Sequence, residues 1–229
     1  MTVIKKIGIL LGLHRIVNGI TTRRMKKMHA MRFPAFNASV HEDLCIRDDY
    51  VRYACIALAI DTVLHEELPG NFAEVGVFRG TMSAFIHRIA PQRRFYLFDT
   101  FEGFSKKDLP QGFVDERFKD TAVEQVLAAI GDSRTIVVRK GYVPDTFIGL
   151  ESESFAFALL DLDLLKPTLA SLEFFYPRLS RGGYMIIHDY NNDESDWACK
   201  RAVDGFMKDK PEKIIAIPDV WGTALFRKS

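Results

Sequence analysis

The sequence has few cysteines, no long apolar run and no excess of charge of one sign, and each absence excludes a class of protein. Its three cysteines form no Cys-x-x-Cys pair, which argues against a disulfide framework and a zinc knuckle. The 31 basic and 30 acidic side chains give a net charge of +1, unlike a protein that coats nucleic acid. With 48% apolar residues, the composition is that of an ordinary globular protein. We therefore expect no nucleic-acid partner and a reducing, cytoplasmic location.

The N-terminal part of the chain differs from the rest in its charge. Residues 1–41 contain eight Lys or Arg and no acid, which leaves 23 basic against 30 acidic side chains in the remainder. The longest apolar run there, residues 7–13, is far shorter than the roughly 20 residues of a transmembrane helix, and no signal-peptide cleavage site follows. A basic arm could lie on an anionic membrane surface, but packing on its own domain or a partner subunit is commoner. We predict a basic helical extension over 1–44, one domain over 45–229, and a homo-oligomer without a transmembrane segment.

Short apolar runs alternate with helical stretches over residues 45–229. Seven runs have the composition of strands: 72–77, 95–98, 135–138, 155–160, 184–187, 214–217 and 223–226. Helical spacing covers 44–68, 81–89, 121–130, 167–179 and 197–207. This alternation predicts right-handed βαβ units and a doubly wound, mainly parallel α/β sheet, which binds ligands beyond the carboxyl ends of its strands. Because only a short turn joins the last two runs, the seventh strand is predicted to be antiparallel.

A turn with two glycines follows the first predicted strand. Residues 74–80 read Glu-Val-Gly-Val-Phe-Arg-Gly, with the spacing G-x-x-x-G, so the phosphate-binding pattern G-x-G-x-x-G is absent. Asp99, 25 residues after Glu74, ends the second strand, where a carboxylate can accept hydrogen bonds from ribose hydroxyls. The charge of Glu74 favours a cationic ligand. S-adenosylmethionine fits these features better than NAD, although structural glycines of any α/β protein could produce the same turn.

Acidic side chains follow the fourth and fifth predicted strands. Asp161 and Asp163 come after Leu160, and His188 and Asp189 come after Ile187. Neighbouring parallel strands bring these groups to one edge of the sheet, and a hard divalent cation is the usual partner of crowded carboxylates. Such an ion would acidify a substrate hydroxyl for attack on a sulfonium methyl group. Alternatively, each acid has a separate structural role, with Asp163 capping the next helix and Asp161 bonding backbone amides.

Several segments together resemble one family of enzymes. They are residues 74–80, 98–103, 141–146, 161–163 with Thr168, and 176–183 leading into 188–190. Over residues 47–206 the chain is similar to the macrocin O-methyltransferase (TylF-type) family of S-adenosylmethionine-dependent sugar methyltransferases. The resemblance implies a Rossmann-like methyltransferase fold, S-adenosylmethionine and magnesium as cofactors, and a hydroxylated sugar or glycoside as the acceptor.

The resemblance also assigns roles to individual residues. The cofactor site is expected at Glu74, Gly76, Phe78, Arg79, Gly80, Thr81, Asp99, Thr100 and Phe101. The catalytic and metal-binding residues are expected to be Asp161, His188 and Asp189.

Two residues depart from the family pattern. Where the family has two consecutive acids before a tyrosine, the first is His188, and the tyrosine expected two residues after Asp163 is Leu165. Histidine favours softer ions, so Mn²⁺ or Fe²⁺ could replace Mg²⁺, or His188 could take the hydroxyl proton as a base. Two other readings stay open: a metal-independent N- or O-methyltransferase, and a non-catalytic subunit that binds the cofactor.

Overall fold

The computed structural model describes residues 49–109 and 111–229, together with Gly19, Ile20, Val40 and Leu44. Nearly all of the predicted extension over residues 1–44 therefore lies outside the described residues. The chain divides into two compact units, residues 1–54 and 55–229, and the sheet belongs to the second. In the part of the chain that is described, no helix combines the length and the apolar character needed to cross a membrane.

Helices and strands alternate through the described part of the chain. The helices are α1 (Tyr50–His65), α2 (Thr81–Ile89), α3 (Val123–Ile130), α4 (Leu165–Phe175) and α5 (Ala198–Met207). The strands are β1 (Asn71–Val75), β2 (Phe95–Asp99), β3 (Ile136–Lys140), β4 (Phe155–Leu160), β5 (Leu179–Ile187), β6 (Ile215–Ala216) and β7 (Ala224–Arg227).

The seven strands form one sheet in the order β3-β2-β1-β4-β5-β7-β6. Strands β1 to β5 are parallel, and β7 is antiparallel to both β5 and β6. This confirms the predicted doubly wound sheet with an antiparallel last strand. The strand order reverses between β1 and β4, so the carboxyl ends of these two strands flank the switch point where open α/β sheets bind ligands.

Apolar side chains cover both faces of the central strands. All six residues of β4, Phe-Ala-Phe-Ala-Leu-Leu, are buried, as expected for a strand with helices on both sides. Edge-to-face aromatic pairs fill the core on one face, with ring centroids 4.8 Å apart for Phe155 and Phe175 and 5.2 Å apart for Phe98 and Phe147. This packing fixes the strands whose ends carry the candidate site.

The predicted end of α4 and the predicted start of β5 were wrong. Helix α4 ends at Phe175, not at Leu179, and a 3-10 turn over Tyr176–Arg178 leads into β5. Pro177 in that turn has no N–H to continue the helix. The strand begins at Leu179, five residues earlier than predicted, because Leu179 already pairs with Phe155 of β4. The polar segment 180–183 supplies no apolar run and forms a register irregularity before Tyr184 pairs with Phe157.

Candidate active site at the carboxyl edge of the sheet

The glycine-containing turn, residues 76–80, connects β1 to α2. Gly76 and Gly80 have φ values of +91° and +73°, which glycine adopts without strain. A Cβ built on Gly76 would lie 1.8 Å from the carbonyl oxygen of Asp161, and one on Gly80 would lie 2.8 Å from a methyl group of Val126. The two glycines therefore allow close packing of the turn on β4 and of α2 on α3.

Asp99 holds this turn against the end of β2. Its Oδ2 accepts hydrogen bonds from the backbone N–H groups of Val77, at 2.7 Å, and Phe78, at 2.9 Å. Its Oδ1 accepts a third from the N–H of Phe101, at 2.7 Å. A carboxylate offers about four acceptor positions, so these bonds leave room for one more donor. The role of Asp99 toward a ribose stays a prediction.

Glu74 is buried beneath the turn. Its side chain is in the middle of the sheet, 1% exposed, and accepts a hydrogen bond from the hydroxyl of Ser83 in α2. Thr81, the first residue of α2, is exposed. The carboxyl group of Glu74 therefore lies buried next to the turn, and its role toward a cationic ligand stays a prediction.

The segment after β2 folds back over the turn. The ring of Phe118 contacts that of Phe78, with centroids 5.1 Å apart, and Arg79 forms an exposed ion pair with Asp120. The hydroxyl of Thr100 donates to a backbone carbonyl three residues later, at 2.7 Å. Of the predicted cofactor residues, Phe78 and Arg79 both have partners on this segment. Any contact of Phe78, Arg79 or Thr100 with a cofactor stays a prediction.

Asp161, His188 and Asp189 form a compact group, which we call the ligand cluster. Nδ1 of His188 lies 2.9 Å from Oδ1 of Asp161 and 2.6 Å from Oδ2 of Asp189. One potential ligand atom from each residue lies within 4.8 Å of the others. His188 and Asp189 are buried, and Asp161 is partly exposed. The strand pairing of Leu160 with Ile187 brings them together, so the predicted juxtaposition is present.

Asp163 is a fourth member of this edge that the predicted site did not include. It is partly buried and has a φ of +59°. Burial, together with the negative charges of Asp189 and Asp161, raises the pKa of Asp163 well above its ordinary value. The alternative role as a helix cap is wrong, because Leu164 occupies the N-cap position of α4 without a side-chain bond. The sequence signal that could have added Asp163 to the site was its Asp-x-Asp spacing with Asp161, directly after a buried strand.

Asn192 is a residue that the sequence reasoning missed. It is buried, and its Nδ2 donates to Oδ1 of Asp189 at 2.8 Å. Its own Oδ1 accepts from the N–H of Glu194, at 3.0 Å. Because His188 contacts the other oxygen, both carboxylate oxygens of Asp189 have a defined partner. No pattern in the sequence distinguishes this asparagine from its neighbour Asn191.

The donor set of the ligand cluster fits a divalent cation. Two carboxylates suit Mg²⁺ or Mn²⁺, and the imidazole of His188 shifts the preference toward Mn²⁺ or Fe²⁺. Asp163 adds a further acid beside Asp161 and Asp189, and burial, followed by the charges of those two acids, raises its pKa. Leu165, at the position of the expected tyrosine, is the first residue of α4 and offers no ligand atom.

Comparison with known proteins places this site in a family. The family model of macrocin O-methyltransferase (TylF) matches residues 49–228. A relative from Streptomyces olivaceus, 8-demethyl-8-(2,3-dimethoxy-alpha-L-rhamnosyl)-tetracenomycin-C 4'-O-methyltransferase, is 32% identical over 63% of this chain and 60% of its own length. The chain spans 60–63% of the length of the curated relatives that it matches.

Solved structures with the same fold include two O-methyltransferases. The O-methyltransferase NovP superposes with a TM-score of 0.66 at 23% identity, over 79% of this chain and 80% of its own. An O-methyltransferase from Bacillus cereus in complex with SAH gives 0.58 at 14% identity, over 89% and 96%. These two establish the fold, and the family model, which covers the whole sheet and every member of the ligand cluster, establishes that the chain belongs to the macrocin O-methyltransferase (TylF) family.

Proposed function

We propose that the chain is an S-adenosylmethionine-dependent O-methyltransferase that methylates a hydroxyl group of a sugar or glycoside with the help of a divalent metal. The observation that carries the proposal is the ligand cluster at the ends of β4 and β5, directly beside the turn after β1. A sulfonium donor over that turn and a hydroxyl acceptor over the cluster would be neighbours. The relative named for a rhamnosyl-tetracenomycin supports a sugar acceptor, and the SAH complex of a protein with this fold supports the donor.

We assign different roles in that reaction to three groups of residues: those at the cofactor turn, the ligand cluster, and Asn192. Glu74 would bind the amino group of the donor, and the remaining acceptor position on Asp99 would bind its ribose. Asp161, His188 and Asp189 would hold the cation, which supplies Lewis-acid activation of the acceptor hydroxyl. Asn192 keeps Asp189 in one orientation, as partners of metal ligands commonly do. As the methyl carbon moves from sulfur to oxygen, the hydroxyl proton passes to a base, and His188 would be that base if Asp161 and Asp189 hold the cation without it.

The test separates cofactor binding from catalysis. Asp161→Asn and Asp189→Asn should lower methyl transfer to glycoside acceptors by about 100-fold or more, because they remove ligand charge. Both should bind S-adenosylhomocysteine within about threefold of the wild-type affinity by calorimetry, since the cofactor turn does not need a cation. Asp193→Asn, an exposed acid in the same loop, is the matched control and should leave both measurements unchanged. Full activity after exhaustive chelation, with no metal in the purified protein by mass spectrometry, would overturn the metal-assisted version.

A metal-independent methyltransferase is the second candidate, and one contact favours it. Nδ1 of His188 lies within 2.9 Å of carboxylate oxygens of both Asp161 and Asp189. A protonated imidazole in this position would itself compensate the two acids. In that case activity would survive chelation but not the substitution His188→Asp.

A further inference from the structure

The chain has two tryptophans, and both lie exposed at the carboxyl edge of the sheet. Trp197 is 45% exposed and precedes α5, in the loop that follows β5. Trp221 is 40% exposed and lies in the turn between β6 and β7. Because β7 is antiparallel to β5, its first residue, Ala224, pairs with Ile187, the last residue of β5. The two loops therefore emerge side by side, next to the ligand cluster.

Backbone hydrogen bonds connect both loops to Asn191 and Asn192, the residues that follow the ligand cluster. The N–H of Asn191 donates to the carbonyl of Gly222 at 2.9 Å, and a Cβ on Gly222 would lie 2.7 Å from that of Asn191. The N–H of Trp197 donates to the carbonyl of Asn192 at 3.2 Å, and the amide of Asn192 bonds Asp189. Trp221 precedes Gly222, which bonds Asn191, and Trp197 itself bonds Asn192. Asn191 and Asn192 both belong to the loop that begins with His188 and Asp189.

The exposure of these large apolar side chains to water is unfavourable for the free energy of folding. Tryptophan is a largely buried residue in most proteins, because its ring has a large apolar area. Trp197 also has a φ of +49°, a left-handed conformation that is rare for bulky residues and typical of functional positions. Val220, next to Trp221, is a further exposed apolar side chain, at 65%. Exposed apolar surface of this kind at the mouth of a site is typical of ligand recognition.

We propose that Trp197 and Trp221 are specificity-determining residues that bind the apolar C–H face of the acceptor's sugar ring. The inference rests on the proposed function, because it places the acceptor over the ligand cluster. An indole ring offers a broad apolar face and one N–H donor, which together suit a ring with apolar faces and polar edges. Stacking at the two loops would leave the sugar hydroxyls facing Asp161 and Asp189.

The tryptophans themselves provide the assay. The full chain is labelled with 5-fluorotryptophan, which gives two ¹⁹F resonances, and the variants Trp197→Phe and Trp221→Phe assign them. Methyl α-L-rhamnopyranoside is then titrated into the protein with S-adenosylhomocysteine and Mg²⁺. We expect a saturable shift of at least one resonance. If neither resonance moves up to the solubility limit of the sugar, or if phenol shifts them and the sugar does not, the proposal is overturned.

Kinetics with the rhamnosides that the protein methylates supply a second readout. Trp197→Ala and Trp221→Ala should raise KM for the acceptor about tenfold with little change in kcat, because stacking binds ground state and transition state alike. The phenylalanine variants should retain most of the affinity. Leu58→Ala, an exposed apolar position on α1, is the control and should have no effect. Wild-type KM in both alanine variants would refute the assignment.

The two proposals fail in different ways. Methyl transfer without a ¹⁹F shift leaves the proposed function intact and removes the role of the tryptophans. A ¹⁹F shift without any methyl transfer supports the sugar-binding surface, whereas the proposed function fails. Binding of S-adenosylhomocysteine, measured separately by calorimetry, reports on the cofactor site alone.

Discussion

Replacing Gly76 with alanine tests how closely the turn after β1 packs against the ligand cluster. Gly76 has a φ of +91°, and a Cβ built there would lie 1.8 Å from the carbonyl oxygen of Asp161. The added methyl group would destabilise the fold in two ways. An alanine is strained in the left-handed conformation, and its Cβ would clash with main-chain atoms, which cannot rotate away as a side chain can. Relief requires the end of β1 or β4 to move, and β4 carries Asp161.

The magnitude follows from comparison with a second glycine. Gly149 has a similar φ of +86°, but no heavy atom lies within 4 Å of the Cβ built there. Left-handed strain alone costs about 1–2 kcal/mol, so Gly149→Ala should lower the free energy of unfolding by that amount. Overpacking costs about 1–3 kcal/mol more, so Gly76→Ala should lower it by about 2–5 kcal/mol. The difference between the two variants measures the clash.

Urea unfolding, followed by circular dichroism, gives both free energies of unfolding. We also expect Gly76→Ala to lose methyl transfer even below the temperature at which it unfolds, since the shift displaces a ligand of the cluster. Gly149→Ala should keep its activity. If Gly76→Ala costs no more than Gly149→Ala, the close approach of the two strand ends is not a feature of the folded protein, and our account of the turn is refuted.

Three further substitutions test separate parts of the molecule. Although burial opposes it, hydrogen bonds led by that from Tyr176 lower the pKa of Glu212 to about 2. The stability that this lowered pKa contributes is present above the ordinary pKa of 4.5 and is lost as pH falls toward about 2. Between these pH values, the melting temperature should therefore fall more steeply with decreasing pH in the wild type than in Glu212→Gln. Asp99→Ala should weaken S-adenosylhomocysteine binding by about 1–3 kcal/mol in calorimetry, and unchanged affinity would contradict the ribose assignment. His188→Asp should stay active and shift its preference toward Mg²⁺ if His188 is a ligand, or lose rate at neutral pH if it is the base.

The sequence was sufficient to predict the parts of the site that depend on strand ends. β4 is a buried apolar run followed at once by Asp161, and β5 ends in an apolar run followed by His188. Parallel pairing of such strands leaves little freedom for the first residue beyond each. The place of the ligand cluster follows from this rule, whereas the seven strands follow from the alternation of apolar runs and the antiparallel β7 from the short turn before it.

Features that depend on loop conformation could not be predicted. Asn192 contacts Asp189 only because the chain after β5 turns back through Asp189, whose φ is +55°. Nothing in the local sequence requires that turn. The early start of β5 was missed for a related reason, since Gly182 and Gly183 carry no side chain from which a strand could be read. A Cβ on Gly183 would lie 2.8 Å from the carbonyl oxygen of Ala156, so this part of the strand depends on a close approach of two backbones and not on apolar side chains.

Main-chain hydrogen bonds join the ends of the central strands at the carboxyl edge of the sheet, in addition to the bonds that the Asp99 side chain accepts from the turn. One hydrogen bond continues each strand ladder past its last residue: Gly76 N–H to Phe98 O, Asp161 N–H to Val75 O and His188 N–H to Leu160 O, each 2.8 Å long. Together they join β2, β1, β4 and β5 in a continuous row. Because these bonds do not involve the carboxylates or the imidazole, substitutions of Asp161 and His188 that keep the side-chain volume should alter chemistry without unfolding the sheet. The cofactor turn and the ligand cluster are therefore fixed relative to each other before any ligand arrives, as a transfer reaction between two bound molecules requires.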